Sequence, residues 1–141
     1  MFGKHLRRSS DQQGANLIEM ALVLFLLVLL LVGVADFGRA FHHYIIITNA
    51  AREGARYASH FPNDFGGIRA ATRQEAANSG VVLNDVDIDI DFPGVGGGSA
   101  GGDPVRVSVT FDFPTIIGDI VGFDNLILDN SAVMVIFGFD V

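Results

Sequence analysis

A single carboxylate, Glu19, lies at the front of the longest uncharged stretch of this 141-residue chain. From Met20 to Ala35 no residue is charged. A charge in a membrane-spanning helix costs roughly 2.5–3.5 kcal/mol at the bilayer centre and less near the edge, so a cationic neighbour would stabilise Glu19. Cleavage between Gly14 and Ala15 would create one, because the new α-amino group is cationic near neutral pH and lies one helical turn from Glu19.

Two interpretations of Glu19 follow. In an assembly, the new amine of one subunit pairs with Glu19 of its neighbour. That pair fixes the axial register of the two helices, since leaving either charge unpaired in a low dielectric is costly. Without cleavage, Glu19 is an ordinary interfacial residue whose flexible side chain reaches water. Both interpretations need a helix that crosses a bilayer.

The apolar stretch is long enough to be that helix. Ala15–Ala35 just reaches the ~20 residues that a helix needs to cross a bilayer core of ~30 Å. Residues 1–14 carry more basic than acidic side chains, which predicts a cytoplasmic N-terminus and an extracytoplasmic domain at residues 61–141. A secretory signal cleaved after Ala35 is the alternative, but its apolar core would exceed the usual ~7–15 residues.

Net charge, cysteine content and histidine spacing argue against several classes of function. The formal net charge is -7, and nucleic-acid binding requires a basic surface. The chain has no cysteine, which excludes disulfides and thiol chemistry. His42 and His43 are adjacent and point to different sides of a helix, without the converging ligands of a zinc site. No catalytic set stands out, so we expect no cofactor, no metal and no enzyme.

The helical pattern continues beyond the apolar span. Residues spaced by three and four form one seam along a helix, namely Phe37, Phe41, Tyr44, Thr48, Ala51, Ala55 and Ala58. We predict one helix over about 15–60, with 15–35 in the membrane and 36–60 projecting from it. A domain as small as residues 61–141 buries only a modest core by itself, so we expect it to pack on the alanine half of the seam.

Residues 61–141 predict a short helix at 68–79 and three strands at about 85–92, 104–113 and 131–139. A glycine-rich connection joins the first two strands into an antiparallel hairpin, and residues 115–125 form a turn-rich excursion. The predicted fold class is therefore α+β, with a small antiparallel sheet packed on the C-terminal half of a long helix.

The first predicted strand alternates strictly between apolar residues and aspartates. Val86, Ile88, Ile90 and Phe92 share one face, and Asp85, Asp87, Asp89 and Asp91 share the other. Clustered carboxylates can bind calcium. A straight row with a spacing of ~6.6 Å does not wrap one ion well, which favours a solvated face.

These features carry a family resemblance. Gly14 before Ala15, a glutamate at the fifth position from Ala15, and the uncharged run behind it resemble the processing motif of type IV pilin-like proteins. The stretches "DFGRAF" and "TNAAREGARYA" are similar to the signature of TadE-like pseudopilins, and the likeness covers residues 7–59.

The resemblance implies a minor structural subunit of a Tad/Flp-type tight-adherence pilus or a related secretion assembly. It implies cleavage after Gly14 by a prepilin peptidase. The partners would be other pilin or pseudopilin subunits, the pilus assembly platform and membrane lipid. The location would be the bacterial cytoplasmic membrane, from which the subunit can enter a surface pilus.

Residues where the span leaves the bilayer are candidates for helix–helix contacts between subunits, namely Asp36, Phe37, Arg39, Phe41 and Tyr44. The spacing of Asp36 and Arg39 also fits a solvated ion pair within one helix. The alternative function is an uncleaved single-pass anchor that displays an acidic module for binding a partner or calcium.

Overall fold

The computed structural model describes residues 8–94, 98–122 and 125–138, and it leaves out the side chains of 8–12 and 119–121. A long helix α1 (Arg8–His60) is followed by α2 (Phe65–Asn78), strands β1 (Ile88–Asp91) and β2 (Pro104–Phe113), helix α3 (Ile116–Val121) and strand β3 (Leu126–Val135). The three strands form one antiparallel sheet in the order β1-β2-β3. The predicted α+β fold is therefore confirmed.

Helix α1 begins earlier than the predicted residue 15. It includes residues 8–14 of the segment that we expected to be a leader, while residues 1–7 of that segment lie outside the described residues. Gly14 does not interrupt the helix, since one glycine costs only about 1 kcal/mol there. The helix ends at His60, because Pro62 disfavours the helical conformation at Phe61.

The core lies between the second half of α1 and the sheet. Ile47, Ala50, Ala55 and Ala58 of α1 are fully buried, and Ala51 nearly so. The sheet supplies inward-facing residues of β2 and β1, namely Val105, Val107, Val109, Phe113 and Ile88. Helix α2 covers the same face of α1 with Ile68, Thr72 and Ala76. The alanine half of the seam thus packs inside its own chain, as predicted.

Strand β2 has the predicted bounds, whereas the first strand is shorter than 85–92. Asp85–Asp87 forms a 3-10 turn, in which the Asn84 backbone N donates to Asp87 Oδ2 at 2.6 Å. This local hydrogen bond competes successfully with strand pairing. As a result Val86 is 90% exposed instead of lying on the inner face.

The last strand is shifted from the predicted 131–139 to Leu126–Val135. Its pairing follows the full length of β2, with Leu126 opposite Phe113 and Val135 opposite Pro104. Beyond it, Phe137 N donates to Ser59 O at 2.9 Å, which ties the chain to the end of α1. Residue 139 lies outside the described residues.

Two further elements differ from the sequence prediction. Helix α2 begins at Phe65, before the predicted residue 68, because Asp64 caps it. The Gly67 backbone N donates to Asp64 Oδ1 at 2.9 Å. Helix α3 was expected to be a turn; Thr115 caps it, with Gly118 N donating to Thr115 Oγ1 at 3.0 Å.

The point where α1 meets both α2 and β2 is Gly54. A Cβ added at this residue would clash with Thr72 Oγ1 and lie 3.1 Å from Val107 Cγ1. Thr72 cannot swing away, because it is buried and its hydroxyl donates to Ile68 O at 2.9 Å. Glycine at this position therefore permits the close approach of three elements.

We expect Gly54→Ala to destabilise the fold by up to about 2 kcal/mol, since overpacking costs about 1–3 kcal/mol and the gain in helix propensity offsets only ~1 kcal/mol of it. Urea unfolding of the chain in detergent micelles measures this change. Gly38→Ala is the matched control, because a Cβ at Gly38 meets no atom within 4 Å. Equal stabilities of the two variants would refute the close-packing explanation.

The Asp64 cap makes stability depend on pH. The bond from Gly67 N and a second bond from Tyr57 Oη (2.9 Å) lower the pKa of Asp64 below its ordinary 3.8. Because the pKa of Asp64 is lower in the folded state than in the unfolded state, its charged carboxylate contributes stability. This contribution is fully present when the pH is above the pKa of the unfolded state. This contribution is lost as the pH falls through the folded pKa.

Asp64→Asn keeps a good capping side chain but removes the charge. We expect the variant to unfold at a lower temperature than the parent chain at pH 7. The difference should shrink as the pH falls below 3.8 and disappear once the pH is below the lower pKa of Asp64 in the folded state. Thermal unfolding of both chains as a function of pH tests this. A difference that stays constant across the acid range would show that the charge is irrelevant.

Candidate functional site

Most of the first half of α1 is exposed in the described part of the chain. An 18-residue window of this helix has a mean hydropathy of 3.0, and none of it is buried. The exposed large side chains range from 49% for Val23 to 72% for Met20. By length and composition this segment is able to cross a membrane.

Gly14 and Glu19 both lie on this uncovered part of the helix. A Cβ added at Gly14 would have no neighbour within 4 Å, so packing within the described chain gives no reason for a glycine there. Among the described side chains, none forms an ion pair with Glu19. Ala15 lies between them, with Glu19 one turn further along the same helix.

Asp36 is buried where the apolar segment ends, with only 6% of its surface exposed. Its Oδ2 accepts from the backbone N of Ile117 in α3 at 2.8 Å, and its Oδ1 accepts from Arg39 Nη1 at 2.8 Å. The hydrogen bond from Ile117, more than the one from Arg39, lowers the pKa of Asp36 below its ordinary range. Asp36 therefore anchors α3 to α1.

Arg39 connects the same region to the sheet. Its guanidinium carbon lies 5.0 Å from the ring centroid of Phe113, a cation–π contact at the end of β2. The His43 ring stacks on Phe111, with a centroid distance of 5.5 Å. Asp36 and Arg39 thus form contacts within the chain, and their predicted contacts with neighbouring subunits stay a prediction.

The other three predicted contact residues point away from the core. Phe37, Phe41 and Tyr44 are 74%, 56% and 41% exposed. Phe37 and Phe41 stack on each other, with centroids 6.5 Å apart. They extend the uncovered apolar surface of α1 by two turns beyond the span, which leaves the aromatic half of the seam available to lipid or to another subunit.

The four aspartates do not form the predicted single row. Asp85 pairs with Arg73 at 3.0 Å, and Asp91 pairs with Arg106 at 3.3 Å. Asp87 lies in the 3-10 turn, which leaves Asp89 on the outer face of β1. In residues 8–94, 98–122 and 125–138, no group of three His, Cys, Asp or Glu side chains is placed to hold a metal ion.

Sequence reasoning missed the contact between Asp36 and α3. The two residues of that hydrogen bond are 81 positions apart, so no local period or spacing reveals it. The only sequence signal is the apolar character of "TIIGDIV" (115–121), which does not identify its partner.

A comparison with known protein families supports the resemblance of α1 to TadE-like proteins. Residues 14–56 match the family model described as TadE-like protein. Searches of the curated proteins and of the solved structures returned no match. The matched segment contains Gly14, Glu19 and the whole uncovered apolar stretch, and it ends within the buried half of α1. Over residues 14–56 this chain is similar to TadE-like proteins, and this likeness suggests a component of the Tad pilus system. The long apolar helix among the described residues fits a single-pass membrane protein.

Proposed function

We propose that this chain is a minor pilin-like subunit that is processed after Gly14 by a prepilin peptidase and assembled through α1 into a Tad-type pilus or related secretion assembly. The observation that carries the proposal is the uneven covering of α1. Its second half forms the core of a small domain, while its first half is apolar and bare.

An exposed apolar helix is suited first to the membrane and then to an assembly of subunits. In the membrane its side chains contact lipid, and in an assembly the same side chains contact the helices of neighbouring subunits. Neither environment requires a change in the domain, because the buried face of Ala50–Ala58 stays packed in both. The exposed Phe37 and Phe41 extend the contact surface above the membrane.

Gly14 supports processing at the front of this helix. A protease must unwind the helix around the bond that it cuts, and glycine lowers the cost of unwinding by about 1 kcal/mol relative to alanine. Packing within the described chain does not explain why residue 14 is a glycine, whereas recognition by a peptidase explains it. The positive charge of residues 1–14 favours a cytoplasmic leader and an extracytoplasmic domain.

Intact mass tests the processing step. Membrane-extracted chain from cells with an active prepilin peptidase should begin at Ala15, and chain from cells with an inactive peptidase should keep the leader. Gly14→Val should block cleavage, whereas Gly38→Val should not. The two glycines are matched, since both are helical and neither side chain would meet an atom within 4 Å.

A leader that persists beside an active peptidase would contradict the proposal. That result would favour the alternative of an uncleaved single-pass anchor with an acidic binding module. The Gly38→Val chain controls for a general effect of a glycine-to-valine change in α1, because both glycines are helical and open on the side where a side chain would be added.

Glu19→Ala tests the assembly step separately. We expect normal cleavage but at least about a tenfold loss of incorporation into surface pili, because removing one partner of a buried ion pair costs roughly 3–5 kcal/mol. Val86→Ala, which truncates a 90% exposed apolar side chain outside α1, is the control. Normal incorporation of the Glu19→Ala chain, measured by immunoblotting of sheared pili, would eliminate the pairing mechanism.

A further inference from the structure

Helix α3 lies beside the last turn of the membrane-spanning part of α1. Ile117 N donates to Asp36 Oδ2 at 2.8 Å. The Ile117 Cδ1 atom would lie 3.2 Å from a Cβ added at Gly33. Gly33 precedes Asp36 by three residues, or about 4.5 Å along the helix. Since Gly33 belongs to the apolar span, α3 is level with the edge of the bilayer.

The direction of the strands brings further apolar residues to the same end of the domain. Strand β2 runs from Val107, near Gly54, to Phe113, near Arg39, and therefore towards the membrane. Strand β3 begins there, with Leu126 opposite Phe113. The exposed large apolar residues at this end are Ile116, Leu126 and Ile127, which are 45%, 46% and 65% exposed. Leu126 and Ile127 lie on opposite faces of the sheet at the tip of β3, so both faces of the tip are apolar there.

Backbone N–H groups at both ends of α3 have hydrogen-bond partners within the chain, as a poorly hydrated environment requires. A polar backbone group without a partner is costly in lipid, and short helices normally leave their first N–H groups to water. In α3, Ile117 N donates to Asp36 and Gly118 N donates to Thr115 Oγ1 at 3.0 Å. At the other end, Gly122 N donates to Gly118 O at 2.8 Å.

Charge and length set the depth of α3. A helix of six residues is about 9 Å long, too short to enter the hydrocarbon end-on. The residue of α1 that binds α3 is the charged Asp36, and a charge is costly in the bilayer centre and less so near the edge. The depth that fits both is the layer where headgroups meet acyl chains, in which interfacial helices lie.

We propose that α3 and the start of β3 form a lipid-contacting surface, defined by Ile116, Leu126 and Ile127, that seats the domain in the interfacial layer of the membrane. Asp36 holds this surface at the level of the span. Lipid is the occupant because α1 already places the surface at bilayer height. The inference depends on the membrane span and is independent of cleavage after Gly14.

The absence of tryptophan from the sequence makes single tryptophans clean reporters of this contact. Ile116→Trp reports from α3, and Val86→Trp reports from the most exposed large apolar position, outside the proposed surface. The full chain is reconstituted in vesicles of phosphatidylethanolamine and phosphatidylglycerol that contain phosphatidylcholine brominated near the headgroup. Alkaline extraction confirms insertion of α1 in each preparation.

We expect the brominated lipid to quench the Ile116→Trp chain several-fold more than the Val86→Trp chain, with blue-shifted emission for the former. Equal quenching at the two positions would overturn the proposal. The proposal would also be overturned if Ile116→Trp were quenched at a low protein-to-lipid ratio but not at a high one. That result would mean that a second copy of the chain covers α3 when the protein is concentrated in the membrane.

A second reporter protects the test against local misfolding at position 116. Ile127→Trp replaces a side chain that is 65% exposed, so the larger ring is accommodated, and it should also be quenched. Asp36→Ala in the Ile116→Trp background should reduce the quenching, since the hydrogen bond that holds α3 at this level is removed. Unchanged quenching in that double variant would refute the role of Asp36.

Discussion

Small side chains on one face of α1 set the distance at which the sheet and α2 pack onto it. Between Ala50 and Ala58 this face carries alanines and Gly54, all of them buried. Larger side chains would hold β2 away from the helix and leave voids, which a closely packed interior does not tolerate. The sheet cannot compensate, because three strands have only one apolar face and need a partner to bury it. The long helix is therefore half of the core of its own domain.

The same helix has a second role because its composition changes along its length. Most of the large apolar side chains in the first half are exposed, and the small ones in the second half are buried. Asp36 and Arg39 lie at the boundary, where they tie α3 and β2 to the helix. The boundary separates the exposed apolar surface of the first half from the buried face of the second half.

The sequence predicted those features that depend on local periodicity. The seam of α1 and the alternation of β2 were correct because each is long enough for its period to be clear. The alternation at 85–92 was misleading, since Asp87 bonds to Asn84 and forms a turn from residues that fit a strand equally well. The segment 126–130 contains Asp129 and Asn130, which are typical of turns, yet its pairing with β2 makes it a strand. The contact of Asp36 with α3 depends on the tertiary fold and has no local signal.

The division of α1 into a covered and an uncovered half can be measured by thiol reactivity, since the chain has no cysteine of its own. Ala51→Cys and Ala55→Cys place thiols on the buried face, and Arg52→Cys and Arg56→Cys place them one residue further on, at exposed positions. In membranes and in detergent, a water-soluble maleimide should label 52 and 56 rapidly and 51 and 55 many times more slowly. Equal labelling at all four positions would show that the second half of α1 is not the core of its own domain.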